Sequence, residues 1–248
     1  MLEKVSRDAV IEIDIRSGVE LPSIREEITL HTADGLTLVG ELALPVGKQP
    51  IATLLTLHPL PTHGGFMDSH ILRKLANRLP ALTGVAVLRF NTRGTTSPRG
   101  TSDGEFDGGV AERFDLDAAL AFLESRGLPN IWLLGWSFGT ELALKYGYDK
   151  NVRGAILLSP PLHRTSEEEL RNWNGTNKPV IAIVPEFDDY LVPEAAVERF
   201  VPLQGAQIVA IDDAKHLWVG ENATKSVIDE VVRVVAPEFF PLPTHYRG

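Results

Sequence analysis

A chain of 248 residues, 44% hydrophobic and 23% charged, has a globular composition and the length for one sizeable α/β core. Its net charge of −9 argues against a nucleic-acid partner, which needs a basic surface, and no stretch is apolar for long enough to span a bilayer. It has no cysteine, which excludes disulfides, thiolate metal sites and a cysteine nucleophile and fits a reducing compartment; with no apolar signal core in residues 1–8, the expected location is the cytoplasm.

The first twenty residues and the last ten read as peripheral, leaving a single domain with its core over residues 25–236. From Arg25 to Pro45 the pattern predicts a hairpin, Glu27–Leu30 and Leu36–Val39 around Ala33-Asp34-Gly35. Strands of the buried kind follow at Ile51–Leu57, Val85–Phe90, Ile131–Leu134, Ala155–Leu158, Val180–Val184 and Ile208–Ile211. Near-continuous apolar runs are what a parallel sheet covered on both faces requires. Helical stripes alternate with them: Ile71, Leu72, Leu75 and Leu79; Leu116, Leu120 and Leu123; Val227, Ile228, Val231, Val232 and Val235. Strands alternating with helices predict a doubly wound, mostly parallel α/β sheet with helices on both faces.

One junction carries chemistry. Gly135-Trp136-Ser137-Phe138-Gly139 sits between the strand ending at Leu134 and a helical run beginning at Thr140. A turn this tight brings the outgoing strand against the incoming helix, so a Cβ at either glycine would collide. The serine hydroxyl is then held above the sheet edge beside the positive end of a helix. A nucleophilic serine needs a base, and the base an orienting acid. Both occur beyond later strands, as Asp188 or Asp189 and as His216. Loops at the carboxyl ends of parallel strands open on one edge, where these groups would meet.

These segments resemble the α/β-hydrolases, in particular the small lidless bacterial group that includes dienelactone-hydrolase-like proteins and short-acyl esterases. Besides the elbow, His58-Pro59-Leu60-Pro61-Thr62-His63-Gly64-Gly65 is similar to that group's His-Pro-His-Pro-x-x-Gly-Gly loop. Arg89-Phe90-Asn91-Thr92-Arg93-Gly94 and Gly104-Glu105-Phe106-Asp107 match two further segments. The group's Asp-x-x-Val-Pro spacing selects Asp189, with Val192 and Pro193, as the acid, although Glu186-Phe187-Asp188-Asp189 replaces the usual Gly-Asp-x-Asp. The resemblance implies a serine hydrolase that cleaves carboxylic esters through an acyl-enzyme, with catalytic Ser137, His216 and Asp189. The backbone N–H groups of Phe138 and Leu60 would receive the oxyanion. A thioesterase, lactonase or peptidase would use the same triad, and a slow binding protein could keep it.

The remaining polar motifs read as structural. His58, His63 and His70 share no carboxylate or cysteine at ligand spacing, so the reading requires no metal and no cofactor. Arg93 is expected to brace loops through its fork of donors. Only Pro160 to Pro179 separate two strands where a lid would insert, which leaves room for one short helix, Ser166 to Trp173, and none for a lid domain. The expected site is open, with Trp136, Phe66, Tyr190 and Trp218 as substrate-binding residues and Leu60, Phe138, Leu162 and Trp173 completing the wall. The expected partner is a small ester-type molecule, with no nucleic acid and no membrane.

Overall fold

The computed structural model describes residues 12–16 and 18–247. Eight strands form the central sheet: β1 (Ile24–His31), β2 (Thr37–Leu44), β3 (Ala52–Leu57), β4 (Val85–Phe90), β5 (Ile131–Trp136), β6 (Ala155–Leu158), β7 (Val180–Phe187) and β8 (Gln207–Lys215). Their order is β8-β7-β6-β5-β3-β4-β2-β1. The opening hairpin pairs antiparallel and adds to β4 antiparallel, and every other pairing is parallel. Every residue of β3, β4 and β6 is buried, as two covered faces demand.

Alternation along the strands divides the core in two. One face packs under α2 (Glu112–Ser125) and α3 (Phe138–Tyr146), through Leu116, Leu120, Leu123, Leu142 and Leu144. The other packs under α1 (His70–Leu82) and α6 (Glu221–Val235), through Leu72, Leu75, Leu79, Ile228 and Val232. The three helical stripes expected from the sequence are therefore the faces that cover the sheet. The segment between β6 and β7 holds only the short α4 (Glu167–Arg171), capped by Ser166 and Glu169 and fastened to α3 where Trp173 Nε1 donates to the Leu144 carbonyl at 2.8 Å. No separate lid domain is present among the described residues.

Two features depart from the sequence reading. A helix, α5 (Pro193–Arg199), follows β7 and was not anticipated; Pro193 occupies its first turn, the one helical place where a missing N–H costs nothing. β7 and β8 also run past the apolar runs read from the sequence, to Phe187 and Lys215, so Glu186, Phe187 and residues 212–215, polar but for Phe187 and Ala214, still belong to strands. The peripheral segments pair with each other, Glu12–Asp14 against His245–Arg247, and residues 1–8 lie outside the described residues. Arg93 braces two elements: its Nη2 and Nε reach Asp115 of α2 at 2.7 and 3.0 Å, and its Nη1 reaches Asp34 in the hairpin turn at 2.9 Å. No helix among the described residues is long and apolar enough to cross a membrane.

Candidate active site

β5 ends at Trp136 and α3 begins at Phe138, so Ser137 alone makes the turn, at φ +52° and ψ −116°. A side chain rarely adopts positive φ, and the surroundings must hold it there. The Ser137 N–H donates to the Leu158 carbonyl at 2.9 Å, and the Ser137 carbonyl accepts the N–H of Thr140 at 2.9 Å. The elbow glycines have the expected cause: a Cβ on Gly139 would lie 2.1 Å from the Leu57 carbonyl oxygen, and one on Gly135 would lie 2.3 Å from that of Gly139.

His216 bridges the serine and an acid. Its Nε2 lies 3.0 Å from Ser137 Oγ, and its Nδ1 lies 2.9 Å from Asp188 Oδ2. A carboxylate only accepts, so Nδ1 carries the proton and Nε2 is free to accept from the serine. Asp189, chosen on its spacing to Val192 and Pro193, is not the partner; it is exposed, while the Asp188 side chain is 2% exposed. The reason is the longer strands. Between Pro185 and Phe187, two steps along β7 oppose four along β8, and Asp188 is the first residue past the strand end. Its Oδ1 also accepts the N–H groups of Tyr190 and Leu191, at 2.8 and 3.2 Å. Burial alone would raise the Asp188 carboxyl. The hydrogen bond and charge of His216, with those two N–H groups, override it and hold the carboxyl below its ordinary range.

The loop after β3 supplies the opposite wall. Pro59 and Leu60 precede a single 3-10 turn, Pro61–His63, whose first carbonyl, that of Leu60, accepts the N–H groups of His63 and Gly65 at 3.0 Å each. His58 anchors the loop from beneath. Its Nε2 accepts the Thr92 N–H at 3.0 Å, so its Nδ1 carries the proton and donates to the Pro59 carbonyl at 2.7 Å. Among the described residues, no acceptor takes the backbone N–H of Leu60 or of Phe138.

A model of the α/β-hydrolase fold matches residues 61–210, more than half of the chain. The chain belongs to the α/β-hydrolase family. A lidless α/β serine hydrolase from Xanthomonas campestris superposes with a TM-score of 0.71 at 25% identity, over 90% of this chain and 99% of that one. An α/β serine hydrolase homologue from Coxiella burnetii gives 0.69 at 28%, over 85% and 97%. An uncharacterized protein of Rickettsia prowazekii is 36% identical over 118 residues, a match that spans 46% of this chain and 46% of that protein.

In this α/β hydrolase, Ser137 and His216 open on a cleft of about 290 Å³ lined by Leu60, Phe138 and Tyr190, as expected, and by Pro59, Pro161 and Leu217. Tyr190 stands edge-on to the His216 ring, 4.6 Å between centroids. The other expected substrate-binding residues lie elsewhere. Trp136 is 2% exposed and Trp218 fully buried, both in the core under α1 and α6. Phe66 is half-buried beyond the cleft, and Leu162 and Trp173 are core residues. Three polar lining residues had been missed: His63, His163 and Arg164. His63 was visible in the loop motif, but nothing in the periodicity marked the other two.

Proposed function

We propose that this α/β hydrolase cleaves carboxylic esters through an acyl-enzyme, with Ser137 as nucleophile, His216 as base and Asp188 as the acid that orients it. The observation that carries the reading is His216 spanning Ser137 Oγ at 3.0 Å and Asp188 Oδ2 at 2.9 Å. Ser137 Oγ attacks the ester carbonyl carbon while His216 Nε2 takes its proton. Asp188 fixes the tautomer and stabilises the imidazolium. The carbonyl oxygen becomes an oxyanion, for which the N–H groups of Phe138 and Leu60 are free donors. Collapse expels the alcohol, which takes the proton from His216. Water then attacks the acyl-enzyme with His216 as base, releasing the acid and restoring the serine.

Fluorophosphonate labelling of Ser137, followed by hydrolysis of a nitrophenyl ester series, tests the reading. Labelling lost in Ser137→Ala, with turnover of the esters, supports it. An unlabelled wild type with no ester turnover would remove it.

A further inference from the structure

Among the described residues, the cleft lining holds one full charge, the guanidinium of Arg164. In a chain of net charge −9, its lining includes Arg164, His63 and His163 beside His216, and no aspartate or glutamate. Arg164 lies in the short connection between β6 and β7, and its guanidinium carbon stands 5.7 Å from the centroid of the Phe138 ring.

The way Arg164 is held decides what it can bind. Its backbone N–H donates to Glu141 Oε1, and its Nη1 donates to Glu141 Oε2 at 3.3 Å. The Glu141 side chain is buried in α3, 1% exposed, while that of Arg164 is 35% exposed. Glu141 therefore grips the arginine from behind through one donor of the fork. Among the described residues, no acceptor takes Nε or Nη2. Those two groups share one edge of the planar guanidinium, and their parallel N–H bonds match the two oxygens of a carboxylate.

We propose that the ester cleaved here carries a free carboxylate, held on the Nε and Nη2 edge of Arg164 while the ester carbonyl faces the Phe138 N–H. The inference rests on the serine-hydrolase reading of the same cleft. A neutral ester leaves the fork to solvent alone, whereas a carboxylate gains two charge-assisted hydrogen bonds in a partly desolvated cleft. The carboxylate takes no part in bond making. On the acyl side it makes the substrate a half-ester of a dicarboxylic acid; on the alcohol side, the ester of a hydroxy acid.

The test compares nitrophenyl hemisuccinate with nitrophenyl butyrate, similar in length and leaving group and differing in charge. The butyryl ester of hydroxybenzoate is a third arm that moves the carboxylate to the alcohol. One of the two anionic esters is expected to exceed the neutral one in kcat/KM by about tenfold to a hundredfold, the span of a hydrogen-bonded charge contact. That ratio is expected to collapse in Arg164→Gln and to recover in part in Arg164→Lys. Because Arg164→Gln leaves Glu141 buried without its cation, a variant-free measurement accompanies it. Free succinate should inhibit wild-type butyrate-ester hydrolysis about tenfold more strongly than butyramide, which has the same chain length and no carboxylate. Equal inhibition by succinate and butyramide, or an anionic-to-neutral ratio unchanged in Arg164→Gln, would overturn the proposal. Fluorophosphonate labelling separates the failures: a labelled serine with a preference for the neutral ester defeats only the carboxylate, and an unlabelled one defeats both readings.

Discussion

The indole Nε1–H of Trp136 donates to the backbone carbonyl of His216 at 3.2 Å. Ser159 Oγ donates to the same carbonyl at 3.1 Å, and the next carbonyl, that of Leu217, lies 2.6 Å from His70 Nε2. His216 is therefore held at its main chain by Trp136 at the end of β5 and Ser159 just past β6, and at its side chain by Asp188. Trp136, which sits in the elbow beside Ser137, couples the position of Ser137 to that of His216, the proposed nucleophile and base.

Removing that donor tests the coupling. Trp136→Phe keeps the ring against His70 but loses the N–H, leaving Ser159 as the remaining side-chain donor to the carbonyl. A hydrogen bond of ordinary worth corresponds to about threefold to tenfold, and the expected result is a fall in kcat of that size with KM little changed. A lowered Tm with kcat untouched would mean that Trp136 only packs.

Ser137→Ala should abolish ester turnover while the chain still folds, because the serine stands at a turn and only part of it is buried. Loss of a triad serine costs about a millionfold in kcat in the studied case. Steady-state assay beside far-UV circular dichroism checks both halves. A folded variant that keeps a few per cent of the activity would assign the nucleophile elsewhere.

Asp188→Asn should lower kcat by about four orders of magnitude, the cost of stabilising the wrong imidazole tautomer in a triad. Asp189→Asn, on an exposed side chain, should change it little. Parallel kcat measurements on the two variants decide between neighbouring carboxylates.

The scaffold was legible in the sequence because burial writes a period. The runs of β3, β4 and β6 and the stripes of α1, α2 and α6 are the residues that now fill the two core layers. The elbow was legible because its glycines answer a steric demand set by Leu57 and by Gly139 itself. The partner of His216 was not, because Asp188 and Asp189 differ by one residue and the choice rests on a register shift between β7 and β8 that no local pattern records. The cleft wall was illegible for a related reason. Trp136 ends β5, Trp218 follows β8 and Arg164 lies in the β6–β7 connection, places where alternation stops and tertiary contacts decide which side chain turns inward.

His58 supplies a pH dependence of stability separate from catalysis. It is buried beneath the Pro59–Leu60 loop, and burial lowers its pKa to about 4, against about 6.5 for an unfolded chain. Above about pH 6.5 the imidazole is neutral in both states and contributes nothing to the slope. Between about 6.5 and 4 the unfolded chain binds a proton that the folded one refuses. Stability therefore falls with falling pH across that window, by up to about 3 kcal/mol. Protonated His58 would also lose the lone pair that accepts the Thr92 N–H and would set a charge in the core. Urea unfolding midpoints of wild type and His58→Asn at pH 7 and pH 5 measure this term. The variant should be less stable at pH 7 and should lose less stability between the two. Equal losses would mean that the acid sensitivity arises from other groups.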